Sequence, residues 1–112
     1  MKIESLGTHL LHEKNIPFVI VIINSRIQTV DSIWSQYTDT YPSSELNRKK
    51  PNQELLAFCD ANEILCFDLF RYFHEEPNQK SLYFKIDGHW NERGHLLAAQ
   101  KIKGFLSKMV LH

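Results

Sequence analysis

The sequence predicts an α/β domain with parallel strands, and three observations support this fold class. Residues 18–23 form an unbroken apolar run rich in β-branched side chains, which is typical of a strand buried on both faces of a parallel sheet. Residues 64–67 form a second short apolar run. Apolar side chains recur at helical spacing between and after these runs, so the order strand, helix, strand, helix predicts a βαβ arrangement.

The chain of 112 residues is expected to form a single domain over residues 1–112, and an incomplete one. Its apolar content of 43% is sufficient for a packed core. Two parallel strands are not a stable sheet by themselves, because both faces and both edges need cover. We therefore expect the missing cover to come from an N-terminal segment that this chain lacks, or from association with another subunit.

A short helix is predicted before the first strand, and an irregular connection is predicted after it. Leu6, Leu10 and Leu11 fall near one face of residues 3–14, which predicts a short amphipathic helix. The segment 30–52 is harder to assign, since its aromatic residues favour a packed helix whereas its polar residues favour a loop. We expect a long irregular connection of the kind that forms lids and binding loops. The basic run over residues 48–50 is expected to be solvated.

The second half of the chain predicts three helices around the second strand. Apolar spacing predicts one helix over residues 52–62, and Asp68 is expected to cap a short helix over residues 69–74. A polar loop follows over residues 75–80. The last helix is expected to run from Asn91 or Glu92 to about Met109. Asn91 is its predicted N-cap, and Gly94 should allow close packing of this helix on the sheet.

The charge balance and the apolar pattern exclude several classes of partner. Thirteen basic residues balance thirteen acidic ones, so the chain has no electrostatic footprint for nucleic acid or for an anionic membrane. No run approaches the roughly 20 apolar residues of a membrane span, and the first twelve residues do not read as a signal peptide. These observations leave the cellular location open.

The two cysteines, Cys59 and Cys66, fall in a predicted helix and a predicted strand. A disulfide between them is an alternative, but two reduced thiols in the interior are the favoured interpretation. They do not identify a redox compartment.

The stretch Asp87-Gly88-His89-Trp90-Asn91 is the best indication of function in the sequence. A carboxylate near an imidazole fixes the ring tautomer and stabilises the protonated ring, as a general base acting on a nucleophile requires. Gly88 lets the backbone turn tightly and leaves room for a substrate. Three further residues are candidate substrate contacts: Trp90 in the motif, and Ser25 and Arg26 at the end of the first strand.

This motif, together with the strand before it and the alanine-containing helix after it, resembles the end of the SGNH (GDSL-like) hydrolases. The similar branch carries Asp-x-His-Trp, as do SGNH-like polysaccharide O-acetyltransferases. The resemblance implies the final third of a flavodoxin-like three-layer α/β/α fold with parallel strands. It also implies a Ser-His-Asp mechanism on ester or O-acylated small molecules or polysaccharides, with His89 as base, Asp87 as orienting acid, and neither cofactor nor metal.

The chain departs from the family pattern at two points. Many members separate acid and base by two residues, whereas Gly88 alone stands between them here. The Gly-Asp-Ser nucleophile block and the glycine and asparagine blocks of the oxyanion hole are absent from the sequence. Ser25 follows a strand but lacks the glycines of a nucleophile elbow. The serine is therefore expected to lie outside this chain, which should be nearly inactive by itself.

Two alternatives to an esterase or acyltransferase remain open at this stage. One is a non-catalytic remnant or interaction module that pairs with another chain through an exposed sheet edge. The other is a metal site built from Asp87, His89 and either His95 or His12, although no third ligand stands at a diagnostic spacing.

Overall fold

The secondary-structure elements follow the predicted order in a computed structural model of the chain, which describes residues 18–110. The predicted helix over residues 3–14 lies outside this part. The elements are β1 (Val19–Ile22), α1 (Arg26–Thr29), α2 (Asp31–Thr40), α3 (Lys50–Ala61), β2 (Leu65–Asp68), α4 (Phe70–His74), a 3₁₀ turn (Gln79–Leu82) and α5 (Glu92–Val110).

The two strands form a parallel sheet, which makes the chain a small α/β fold. Val19 pairs with Leu65 and Ile22 pairs with Asp68, so both strands end at the same edge. Ile22 is buried, but the other three residues of β1 are only half-buried. The prediction of a strand buried on both faces is therefore wrong for most of β1. Within residues 18–110 the sheet has two strands, so β1 has a neighbouring strand on one side and lacks one on the other.

The segment 30–52 is mostly helical, which corrects the prediction of a long irregular connection. Ser25 begins α1 with a capping box, in which its hydroxyl accepts a hydrogen bond from the Gln28 N–H while the Gln28 side chain accepts one from the Ser25 N–H. Helix α2 follows directly, and its Trp34 and Tyr37 rings stack with centroids 5.8 Å apart. The irregular stretch therefore shrinks to residues 41–49.

Arg48 is a structural residue, so the prediction that residues 48–50 are simply solvated is wrong at this position. Its guanidinium donates hydrogen bonds to the carbonyl oxygens of Gln28 and Thr29. It also forms an ion pair of 2.7 Å with Asp31. This side chain joins the loop before α3 to both α1 and α2.

Asp31 connects α2 to two other parts of the fold, which leads to a pH-dependent stability. Its carboxylate pairs with Arg48 and, at 2.9 Å, with Nε2 of His74. The hydrogen bond from Arg48 is the largest cause that lowers the pKa of Asp31, followed by the one from His74. Because folding lowers this pKa, the ionised carboxylate stabilises the folded chain at pH values above its ordinary pKa of 3.8. This stabilisation is lost as the pH falls through the pKa of Asp31 in the folded chain.

We expect Asp31→Asn to lower the free energy of unfolding by about 0.5–1 kcal/mol at neutral pH, since the carboxylate is largely exposed and its ion pairs are screened. Urea unfolding at neutral pH and near pH 3 measures this. The difference from the unsubstituted chain should shrink at the lower pH. Asp39→Asn is the matched control on the same helix, because Asp39 is exposed and forms no ion pair within the described residues. An equal loss in both variants at neutral pH would refute the role of Asp31.

The hydrophobic core lies directly beneath the motif. Six buried residues form one cluster: Val30, Leu69, Phe73, Leu82, Tyr83 and Ala98. The Tyr83 hydroxyl donates a buried hydrogen bond of 2.7 Å to Thr29 Oγ1. Burial is the main cause that raises the pKa of Tyr83. Tyr83 therefore serves as a packed, neutral hydroxyl at neutral pH.

Both cysteines are free thiols in the predicted elements, Cys59 buried in α3 and Cys66 half-buried in β2. Burial is the first cause that raises the pKa of Cys66 to about 12, and a hydrogen bond with Cys59 is the second. The thiol is therefore protonated and a poor nucleophile at neutral pH. The prediction that both thiols lie in the interior holds for Cys59 and is wrong for Cys66.

No helix within residues 18–110 is both long and apolar enough to cross a membrane.

Candidate active site

A cavity of about 640 Å³ opens at the carboxyl end of β1, and we call it the edge cavity. The end of β1, the start of α1 and the Asp-Gly-His motif all contribute to its wall. The carboxyl edge of parallel strands is where open α/β sheets bind their ligands. All five candidate residues from the sequence line this cavity together with a second histidine: Ser25, Arg26, Asp87, His89, Trp90 and His95.

The motif sits on a short loop that is closed at its base by backbone hydrogen bonds. The Phe84 N–H donates to the His89 carbonyl at 2.8 Å, and Tyr83 and Trp90 form an antiparallel bridge. Gly88 turns the loop with a φ of +76°, a left-handed conformation that favours glycine. The loop thus presents the side chains on either side of Gly88 to the edge cavity.

Asn91 holds this loop to the helix that follows it. Its side-chain amide donates to the Ser81 carbonyl at 2.7 Å, and its Oδ1 accepts the Gly94 N–H at 3.1 Å. The second bond is an N-cap at the start of α5, as the sequence predicted. The cap therefore couples the position of the motif to the start of a 19-residue helix.

Asp87 and His89 lie side by side at the mouth of the cavity. Asp87 Oδ1 accepts the backbone N–H of His89 at 2.9 Å and lies 3.6 Å from His89 Nδ1. The second distance is an electrostatic contact and is longer than a hydrogen bond. The backbone hydrogen bond is the largest cause that lowers the pKa of Asp87, so this carboxylate is ionised at neutral pH. The exposed ring of His89 keeps Nε2, the nitrogen farther along the ring, open to a ligand.

A second histidine–carboxylate pair shows which features are special to the motif. His74 Nε2 lies 2.9 Å from Asp31, which is closer than the pair in the cavity. Asp31 is however shared with Arg48, and the His74 ring stacks on Phe70 with centroids 5.2 Å apart. The His74 pair therefore connects helices, whereas the Asp87–His89 pair lines a cavity and has no other ion-pair partner within the described residues.

Arg26 holds the motif loop rather than pointing free into solvent. Its Nη1 donates to the carbonyl oxygens of Lys85 and Phe84 at 3.0 and 3.4 Å. The guanidinium carbon lies 3.5 Å from the position that a Cβ would occupy on Gly88. These contacts assign Arg26 a structural role in the loop, in addition to its place in the cavity wall predicted from the sequence.

Ser25 lines the cavity, but its hydroxyl is engaged in the capping box of α1. Its Oγ accepts the Gln28 N–H at 3.2 Å and lies 3.4 Å from Gln28 Oε1. No hydrogen bond joins Ser25 to His89 within the described residues. A hydroxyl held by its own helix is poorly placed to act as a nucleophile activated by His89.

Trp90 forms both part of the cavity wall and part of the packing below it. Its ring stacks on buried Phe73 with centroids 4.9 Å apart, and His95 meets it edge-on at 5.5 Å. The indole Nε1 is buried, and the interaction of Trp90 with the Tyr83 hydroxyl lowers the pKa of Tyr83. The side chain thus joins the cavity to the core.

Asn24 is a lining residue that the sequence reasoning missed. Its Oδ1 accepts a buried hydrogen bond of 2.7 Å from Asn52, and the same amide nitrogen of Asn52 donates to Asp68 at 2.8 Å. Because Asp68 accepts from Asn52, the amide of Asn24 must turn its oxygen to Asn52, which leaves its Nδ2 buried and unpartnered in the described part of the chain. The position of Asn24 directly after a strand was the available signal for a lining residue. Its hydrogen-bond partner Asn52 lies on α3 and is distant in sequence.

The metal alternative gains no support from the part of the chain that the structure describes. Residues 18–110 contain no group of three histidine, cysteine, aspartate or glutamate side chains that could hold a metal ion. His12, one of the ligands considered above, lies outside the described residues.

Comparisons of the chain with protein-family models, with curated proteins and with solved structures found no match.

Proposed function

We propose that this chain supplies the acid–base half of an ester hydrolase or O-acyltransferase of the SGNH type. The observation that carries the proposal is the Asp87–His89 pair in the edge cavity, where an ionised carboxylate faces Nδ1 of an exposed imidazole. A serine outside this chain would be the nucleophile. The fold-level part of the proposal is that these residues belong to a larger flavodoxin-like three-layer domain.

The chemistry assigns one step to each member of the pair. His89 Nε2 takes the proton of the attacking serine hydroxyl as the serine oxygen bonds to the acyl carbon. Asp87 stabilises the imidazolium that forms, through Nδ1. His89 then returns the proton to the leaving alcohol as the bond between that alcohol and the acyl carbon breaks. Water or a sugar hydroxyl, deprotonated by His89, finally bonds to the acyl carbon, and His89 returns that proton to the serine oxygen as the bond between serine and the acyl carbon breaks.

The dual role of Trp90 suggests a direct binding experiment for the proposal. The two indole N–H groups of the chain belong to Trp34 and Trp90, and only the second lines the edge cavity. We expect an O-acetylated oligosaccharide to shift the Trp90 indole signal and the Gly88 amide signal in a proton–nitrogen correlation spectrum. The Trp34 signal is the internal control and should not move.

The same oligosaccharide after removal of its acetyl groups completes the experiment. We expect its effect on the Trp90 signal to be several-fold weaker, because the acyl group is the part that the catalytic pair must approach. Equal shifts with and without acetyl groups, or shifts confined to residues outside the edge cavity, would count against an acyl-group site.

A non-catalytic interaction module is the second candidate, and the open sheet favours it. Within residues 18–110, β1 and β2 pair only with each other, so each strand has a second edge that no strand of this part covers. Such edges invite pairing with another chain. Light scattering tests the version that requires a partner: a folded monomer at micromolar concentration would refute it.

A further inference from the structure

We infer that a second cavity, beside the edge cavity, binds an anionic group of the substrate. This cavity has a volume of about 510 Å³, and Arg26 and Tyr83 line both cavities. A ligand whose acyl group lies near His89 can therefore extend into it. The inference rests on the proposed function only where it treats the ligand as a substrate. The anion site itself follows from the charges that line the cavity.

The lining of the second cavity is unusually one-sided in charge. It contains three cationic residues, Arg26, Lys80 and Lys85, and no carboxylate. The whole chain has equal numbers of acidic and basic residues, so this excess is local. Cations that line a concave surface with low-polarity walls raise the local concentration of anions.

The two lysines are free to bind a ligand. Neither Lys80 nor Lys85 forms an ion pair within the described residues, and both are exposed. The acidic groups on neighbouring elements already have partners, since Glu76 pairs with Arg93 at 3.0 Å and Asp31 pairs with Arg48. Asp87 is engaged with His89 on the side of the edge cavity, and it also attracts the positive charge of Arg26.

Arg26 gives the second cavity a fixed end. Its Nη1 is bonded to two backbone carbonyls, which holds the guanidinium in place and leaves its remaining N–H groups for other acceptors. A planar guanidinium with several donors suits a carboxylate or a phosphate, and the two lysines add positive charge to the lining of the same cavity. The shared chemistry is therefore an oxyanion, such as the carboxylate of an acidic sugar or a phosphate group.

The test compares acidic and neutral forms of one ligand. We propose to titrate the chain with an O-acetylated galacturonate oligomer and with the same oligomer after its carboxylates have been reduced to alcohols. The acidic form should bind about 10-fold more tightly than the neutral one. Lys80→Gln combined with Lys85→Gln should reduce this advantage to the part that Arg26 contributes. Higher ionic strength should weaken the binding of the acidic oligomer and leave the binding of the neutral oligomer unchanged.

The matched control is Lys103→Gln, which removes an exposed lysine of α5 that lines neither cavity. It should leave the affinity for the acidic oligomer unchanged. Equal affinities for the acidic and neutral oligomers, or an equal loss in the control and in the double variant, would overturn the inference. Inorganic phosphate that competes at the same concentration as the oligomer would retain the anion site and identify phosphate as the group it accepts.

The two proposals fail in different ways. The Trp90 indole signal follows the acetyl group and reports on the edge cavity, whereas the Ser81 and Lys85 amide signals follow the anion and report on the second cavity. A response of the Ser81 and Lys85 signals without a response of the Trp90 signal would support the anion site and contradict the proposed function. The opposite result would remove the anion site alone.

Discussion

Replacement of His89 by glutamine is expected to lower the rate of ester hydrolysis by about 10²–10⁴-fold, the usual contribution of a general acid–base residue. The assay uses the chain isolated from its native host, together with any polypeptide to which it is joined or bound, because the proposed serine lies elsewhere. Glutamine keeps a polar side chain of similar length but cannot take up the proton of the serine hydroxyl. Substrate binding should change little, so the loss should appear in kcat.

His95→Gln is the matched control for this prediction. His95 is also exposed and lines the same cavity, but no carboxylate pairs with it within the described residues. Its replacement should change kcat only a few-fold. Similar losses in both variants would mean that the cavity needs two histidines for its shape, and would contradict the assignment of His89 as the base.

Replacement of Gly94 by alanine is expected to have the largest effect on stability. A Cβ at this position would press into the carbonyl oxygen of Leu82 and would lie 3.0 Å from Trp90 Cβ. The carbonyl cannot move away easily, because it accepts the Asn91 N–H at 3.0 Å. Overpacking of this kind costs about 1–3 kcal/mol or more, which should exceed the gain of about 1 kcal/mol in helix propensity.

Gly104→Ala provides the control on the same helix. A Cβ at Gly104 would meet no atom within 4 Å, so only the helix propensity changes. This variant should raise the free energy of unfolding by about 1 kcal/mol, whereas Gly94→Ala should lower it by about 1–2 kcal/mol. Urea unfolding measures both. Two changes of the same sign would show that Gly94 is not at a close contact between α5 and the 3₁₀ turn.

The sequence predicts the features that depend on residues close to one another along the chain. The apolar runs marked β1 and β2, and Asn91 was recognised as the cap of α5 because a cap acts within its own helix. Asp68 is predicted to cap the next helix, and its carboxylate accepts the Phe70 N–H at 3.0 Å, although the N-cap position of α4 is Leu69. The candidate residues of the motif and of the strand end indeed line one cavity.

Features that depend on distant contacts were missed. Arg48 lies in a basic run, and nothing near it in the sequence shows that its guanidinium will reach Gln28, Thr29 and Asp31. Asn52 looks like an ordinary surface amide, although it is buried between the ends of both strands. Gly94 was expected to let α5 approach the sheet, whereas its close contact is with the 3₁₀ turn.

The helices of segment 30–52 lack a local start signal, because Val30 and Lys49 stand at their N-cap positions without a side-chain cap hydrogen bond. The helix before them does carry one, since Ser25 and Gln28 form the capping box that begins α1. The same hydroxyl is the one that a nucleophile assignment would need. Local structure thus decides a functional question here, because a serine that caps α1 is not available to His89.

Labelling with a serine-directed fluorophosphonate tests whether His89 activates a serine that lies outside this chain. The probe is applied to the chain as isolated from its native host, and the modified residue is located by mass spectrometry. We expect one modified serine that lies outside this chain, and loss of the label after His89→Gln but not after His95→Gln. A label on Ser25 would contradict the proposed role of His89, and so would labelling that does not depend on His89.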